Sequence, residues 1–126
     1  MSQLTNARQA EELIAQLLAH QRWQILARNW RRRGCELDIV ALHMGTLAIV
    51  EVKYRRRYLR YAADISTMIH QKKISALRRG ALLYLGENSL AALHTIRLDL
   101  AVVSPSKEKA KEHLPHIRYY ANVVPL

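Results

Sequence analysis

Four charged side chains stand at spacings that allow them to act together: Glu36, Asp38, Glu51 and Lys53. Residues two apart in a strand share a face, so Glu36 goes with Asp38 and Glu51 with Lys53. Between the two pairs lie two apolar runs joined by His43, Met44, Gly45 and Thr46. Folding these runs about the centre of that four-residue loop sets Leu42 against Leu47, Val40 against Ile49, Asp38 against Glu51, and Glu36 against Lys53. All four polar groups then fall on one face, at one end of a hairpin. Carboxylates opposed across a strand pair repel, and partial burial worsens the repulsion. A hard divalent cation ligated by Asp38 and Glu51 would offset it, because Mg²⁺ and Mn²⁺ prefer carboxylate, carbonyl and water oxygens. Protonation of one carboxylate, or neutralisation by Lys53 and nearby arginines, would offset it too. With a metal present, Lys53 is placed to orient an attacking water and to stabilise charge growing on a phosphate. Without one it is a surface lysine at a strand end.

The elements that must position this group follow from periodicity. Thr5 or Asn6 caps a predicted helix running to His20, with Ala10, Leu13, Ile14, Leu17 and Leu18 as its apolar stripe. A first strand is predicted over Trp23–Trp30, with Ile25, Ala27 and Asn29 facing away from Leu26, Arg28 and Trp30. Arg31 to Gly34 then form a basic connection, and strands follow at Glu36–Leu42 and Leu47–Tyr54. Arg55 to Ala63 reads as a basic, tyrosine-rich loop. Asp64 is placed to cap a long helix through Leu85, with Gly86 just past its end. A short helical turn is expected near Asn88–Leu93, and a strand over Ile96–Val103 with Ile96, Leu98, Leu100 and Val102 on one face. Ser104 to His116 reads as loop with at most one helical turn, and Arg118–Val124 as an edge strand. The order α-β-β-β-α-β makes the fold class α/β, a mixed sheet flanked by helices.

Composition bounds the function. The chain has 126 residues, enough for one domain and too few for two cores. With 50% apolar and 24% charged residues it can bury a core, and one cysteine excludes a disulfide framework or a thiolate zinc site. Arg8, Glu11 and Glu12 interrupt any signal-peptide core, and no apolar run is long enough to span a bilayer, so the expected setting is cytoplasmic and not membrane-bound. The formal charge of +10 favours a polyanionic partner, nucleic acid before an anionic membrane.

At the hairpin a family pattern emerges. Gly34-Cys35-Glu36-Leu37-Asp38-Ile39-Val40, followed by Glu51-Val52-Lys53, resembles the D…ExK signature of the PD-(D/E)xK nuclease superfamily. More closely, Ile25 to Arg31 and Val50 to Arg55 resemble the YraN family, a bacterial family without an established activity whose fold is similar to archaeal Holliday junction resolvases. The resemblance spans roughly Ala7 to Val103. It implies a restriction-endonuclease-like core, a Mg²⁺ or Mn²⁺ site, and an endonuclease activity on DNA, including branched DNA. Carried over residue by residue, Asp38 and Glu51 are the ligand carboxylates, Val52 offers its backbone carbonyl, and Lys53 is the catalytic lysine. Glu11 matches the first-helix glutamate that approaches the metal, which helix periodicity allows, though a solvated residue fits the spacing equally. Glu36 matches the glutamate of the family's Gly-Glu-Ile-Asp run, which implies that it meets the metal through a bound water or supports one of its ligands. Among Gln71, Lys72 and Lys73 at the long helix, ungapped spacing favours Lys73 as the one that faces the site. Asp99 matches an acidic strand residue, and its apolar setting favours an ion pair with Arg97 or a loop arginine. Cys35 and Ala10 stand where the family carries glycines, departures that bear on substrate handling more than on metal binding.

Ten of the twenty Lys+Arg lie between Arg22 and Arg60. Arg31, Arg32, Arg33, Arg55, Arg56, Arg57 and Arg60, with Lys72 and Lys73, are candidates for phosphate contacts, and Tyr54, Tyr58 and Tyr61 for stacking on unpaired bases. A solvated basic loop is the plain alternative. No recognition-helix or zinc-finger pattern points to base readout, and RNA shares the phosphate chemistry. Cutting two strands of a junction would suit a homodimer. His113 and His116 flank Pro115 without a second ligand pair, and a lone strand cysteine such as Cys35 is more often packing than nucleophile. The competing class is a non-catalytic nucleic-acid-binding or adaptor domain on the same fold.

Overall fold

The computed structural model describes residues 6–57, 68–90, 95–106, 108, 110 and 114–125. Helix α1 (Ala7–His20) starts at Asn6, whose side-chain oxygen accepts the Gln9 amide at 2.9 Å and so satisfies a free helix N–H. It buries Ala10, Ile14, Ala15 and Leu18. Strands β1 (Gln24–Arg32), β2 (Cys35–His43) and β3 (Thr46–Tyr54) follow, then helix α2 (Gln71–Glu87), β4 (Thr95–Pro105) and β5 (Pro115–Pro125). The strands form one mixed sheet in the order β1-β2-β3-β4-β5, with β3 and β4 parallel and the other pairs antiparallel. The fold is α/β: a five-stranded mixed sheet flanked by two helices, consistent with a restriction-endonuclease-like core.

Alternation in β2 and β3 feeds two apolar layers. Ile39, Ala41, Ala48 and Val50 pack with α1, while Val40, Leu47, Ile49 and Leu98 pack with Leu77 and Ala81 of α2. Each fully buried Leu, Ile or Val contributes about 1.5–3 kcal/mol, so this double-sided burial fixes the strands' register. Ile96, Leu98, Leu100 and Val102 share the α2 side, as their alternation predicts.

Several expectations are corrected. His43 pairs with Thr46, so the hairpin turn is two residues, Met44 and Gly45, with φ of +48° and +78°. Two consecutive positive φ values match the right-handed twist of the strands better than a four-residue loop. In β1 the register shifts between Ile25 and Ala27, so Ile25 packs with the α1 layer but Ala27 with the α2 layer, and their shared face is lost. Arg31 and Arg32 belong to β1 and pair with Glu36 and Cys35, leaving only Arg33 and Gly34 as the turn. Helix α2 begins after His70, its N-cap, and includes Gly86, ending at Glu87 with Asn88 as its C-cap. Asp64, proposed as its cap, lies outside the described residues, as do Arg60, Tyr58, Tyr61 and His113. Asn88–Leu90 are not helical. Strand β4 runs on through Ser104 and Pro105, and β5 starts at Pro115, because each pairs with the other over most of its length. Among the described residues, no helix is long and apolar enough to cross a membrane.

Candidate metal centre

The β2–β3 ladder runs from His43↔Thr46 to Ile39↔Val50 and stops there. Carried one step further it would oppose Asp38 and Glu51, and a step beyond that Leu37 and Val52. Instead, Val52 donates its amide hydrogen to Asp38 Oδ2 at 2.9 Å. Leu37 packs in the α2 layer with Val40, three residues away, which strict alternation forbids. The expected face-to-face pairing of Asp38 with Glu51 and of Glu36 with Lys53 is therefore not formed. A carboxylate thus accepts a β3 amide just beyond the last backbone pair of this ladder.

Asp38 and Glu51 nevertheless share a buried site, 8% and 3% exposed. Desolvation pushes the Asp38 carboxyl up to about 7, helped by the negative charges of Glu51 and Glu11 and opposed by the Val52 amide and Lys73. Glu51 Oε1 faces two ammonium groups, Lys53 Nζ at 3.2 Å and Lys73 Nζ at 3.5 Å. Its other oxygen, Oε2, is buried with no hydrogen-bond partner among the described residues. A buried carboxylate oxygen without a donor is costly, and a second carboxylate whose charge burial disfavours stands beside it, a combination that a hard cation relieves. Val52's carbonyl shares an edge of β3 with the amide that bonds Asp38.

Glu11 reaches the site from α1. Burial raises its carboxyl, a hydrogen bond from the Asn29 side chain lowers it, and the charges of Glu36 and Glu51 raise it further. Asn29 holds a φ of +49° inside β1, left-handed backbone that asparagine tolerates better than most residues. Glu36 is given to Arg31 on the neighbouring strand, Oε1 to Nη2 3.2 Å. Among the described residues no three Asp, Glu, His or Cys side chains form a ready ligand cluster. Two carboxylates and a carbonyl still suit Mg²⁺, which keeps several waters.

The basic candidates separate. Arg32 bonds both oxygens of Glu87 and lies 4.5 Å from the Trp30 ring, so it ties β1 to the end of α2. Arg55 continues the β3–β4 pairing through its amide to the Val103 carbonyl. Arg33, Arg56, Arg57 and Lys72 are exposed. Asp99, fully buried, is held by Arg97 at 3.0 Å, by the Tyr119 hydroxyl and by the Asn122 amide at 2.8 Å, the ion pair its setting called for. Cys35 is a buried free thiol against α2, and His116 belongs to β5. Sequence reasoning did not single out Asn29, which bonds Glu11. The one signal for Asn29 was a residue at home in left-handed backbone within a strand pattern.

Known proteins match over the same extent as the resemblance. A profile of the uncharacterised protein family UPF0102 matches residues 10–103. A UPF0102 protein of Roseiflexus castenholzii is 34% identical over 110 residues, covering 84% of this chain and 86% of its own. One from Trichlorobacter lovleyi is 38% identical over 109 residues, with 84% of each chain covered. A third, from Nocardia farcinica, is 38% identical over 106 residues, 82% of this chain and 81% of its own. By the profile match and by this similarity over most of its length, the chain belongs to the uncharacterised protein family UPF0102, the YraN family.

Proposed function

We propose that the protein is a metal-dependent endonuclease that hydrolyses phosphodiester bonds in DNA, with branched or junction DNA as its preferred form. The observation that carries this is Glu51: one oxygen neutralised by two lysines, the other buried and unpartnered beside a carboxyl that burial and charge hold near neutrality. Asp38, Glu51 and the Val52 carbonyl would hold Mg²⁺ or Mn²⁺, which polarises a phosphate and lowers the pKa of bound water. Lys53 then orients the attacking water and meets charge developing on the phosphate. Lys73 balances the second negative charge from the opposite element. Glu11, positioned by Asn29, is a partner for metal-bound water. The +10 charge supplies the attraction for a polyanion. Cleavage of both strands of a junction would call for a two-fold dimer, which sedimentation with and without DNA would detect.

A binding or adaptor domain on the same fold is the second reading, favoured by Lys53 and Lys73, which neutralise Glu51 without any metal. Labelled duplex, flap, four-way-junction and RNA substrates, incubated with Mg²⁺ or Mn²⁺, separate the two. Loss of cleavage in both Asp38→Ala and Lys53→Ala, with binding kept, supports the enzyme. Equal cleavage in all three proteins exposes a contaminant. Tight binding without cleavage by any of them supports the adaptor.

A further inference from the structure

Two basic clefts meet at Arg31. One, of about 450 Å³, is walled by Arg8 and Glu12 of α1 and by Arg28, Asn29 and Arg31 of β1. The other, of about 470 Å³, is walled by the β1–β2 turn from Arg31 to Glu36. Five arginines thus face two glutamates along β1, an edge strand of the sheet among the described residues.

These arginines are not equivalent. Arg32 is spent on Glu87 and Trp30. Arg8 and Arg33 have no ion-pair partner among the described residues, and Arg8 sits in the first turn of α1, where the helix dipole disfavours a cation. Arg28 and Arg31 are paired with the exposed carboxylates Glu12 and Glu36. The Arg31–Glu36 pair is exposed, and pairs of that kind are weak enough for a phosphate to displace; Arg28 is half-buried, and the carboxylate it bonds, Glu12, is the exposed partner. Asn29 closes the loop: it lines the first cleft and bonds Glu11, whose charge is felt at Asp38. The groove therefore shares one residue, Asn29, with the Glu11 side of the candidate metal centre.

We propose that this groove, from the first turn of α1 along β1 to the β1–β2 turn, seats the phosphate backbone of a nucleic acid strand through Arg8, Arg28, Arg31 and Arg33, while Arg32 only holds the wall. The proposal rests on the nuclease reading for its direction, since the groove would lead the strand to Asp38 and Glu51. The binding itself needs no metal. Phosphodiester is common to DNA and RNA, so both are tested.

The experiment is fluorescence anisotropy of a labelled DNA duplex, a four-way junction and an RNA duplex in EDTA across a salt series. It compares wild type, the double variant Arg8→Gln/Arg33→Gln, Arg32→Gln and Asp38→Ala. Removing one phosphate-neutralising arginine lowers the log–log salt slope by about 0.9 on duplex DNA, so the double variant should drop by about 2 and bind roughly tenfold more weakly at moderate salt. Arg32→Gln should keep the wild-type slope and lower the melting temperature instead, a drop of about 0.9 marking Arg32 as a phosphate contact after all. A double variant with wild-type affinity and slope overturns the groove, as does a wild type that binds neither nucleic acid. Asp38→Ala separates this from the nuclease reading. Unchanged Mn²⁺-dependent cleavage in that variant sinks the metal site, and a reduced salt slope in the arginine variant still upholds the groove.

Discussion

Lys73, near the start of α2, sets its ammonium 3.5 Å from the Glu51 oxygen that Lys53 approaches to 3.2 Å from two residues along β3. One carboxylate oxygen is thus shared between a strand lysine and a helix lysine, and the two need not do the same work. Lys53 lies on the ligand strand itself and is the one assigned to the reacting water. Lys53→Ala should lower cleavage by about 10²-fold or more, the usual cost of losing a charge-stabilising donor, and Lys73→Ala by about tenfold. Equal losses, measured by single-turnover cleavage at saturating Mn²⁺, would assign both ammonium groups to the reaction.

Asp38 carries the pH dependence. Its carboxyl is raised from an ordinary 3.8 to about 7, chiefly by burial and then by Glu51. A carboxyl raised on folding favours the folded state while it is protonated. That contribution is complete below about pH 4 and is lost as pH climbs through about 7. Without metal, wild type should therefore lose stability relative to Asp38→Asn between about pH 4 and pH 7, read as diverging melting temperatures in EDTA. Mg²⁺ or Mn²⁺ at about pH 8 should restore part of the loss, because a ligand that binds only the folded carboxylate stabilises it. Cleavage should rise over the same interval. A constant gap between the two proteins across the range contradicts the assignment.

Asp99 is predicted to matter for stability and not for chemistry. It anchors Arg97, Tyr119 and the Asn122 amide where β5 bulges against β4, and Asn122 itself holds a φ of +54°. Burial and Asp99 together push the Tyr119 hydroxyl above its usual range, so it remains a donor. Breaking a buried, hydrogen-bonded pair costs about 3–5 kcal/mol, so Asp99→Ala should unfold at much lower urea. Tyr119→Phe removes one donor to a charged acceptor and should cost about 1.5–3 kcal/mol. Metal affinity of whatever remains folded should be unchanged.

Asn29→Gly tests how Glu11 is held. Glycine adopts the same left-handed backbone without strain, so stability should change by less than about 1 kcal/mol. The hydrogen bond to Glu11 is lost, and Mn²⁺ affinity, measured by titration calorimetry, should fall about three- to tenfold if Glu11 serves the metal's water shell. Unchanged affinity would leave Glu11 as a surface carboxylate.

By itself the sequence determined what local periodicity controls. Alternating Val40/Leu42 and Leu47/Ile49 specify an antiparallel hairpin with that register, and two-residue spacing alone puts Glu51 and Lys53 on one face. The 3.6-residue stripe of Ala10, Ile14 and Leu18 specifies which side of α1 is buried. An acidic residue amid Leu98, Leu100 and Val102 demands a cationic partner wherever the fold finds one. Charge composition, being independent of conformation, already favoured a polyanion.

Tertiary structure decided everything that required one element to meet another or a strand to depart from its period. Asp38 leaves the ladder because its side chain accepts the Val52 amide, an exchange of backbone for side chain that no alternation rule anticipates. Ile25 and Ala27 part company because one extra residue in β1 lets both helices find apolar cover. Glu11 and Lys73 meet the charges of Asp38 and Glu51 only because α1 and α2 pack on the same sheet, and Asn29 of β1 bonds Glu11 there. Arg32 looked like its neighbours in sequence, yet Glu87 and Trp30 claim it, while Arg8 of α1 lies beside Arg28 and Arg31 of β1. Periodicity fixes faces, but only packing between elements places charges within interaction distance.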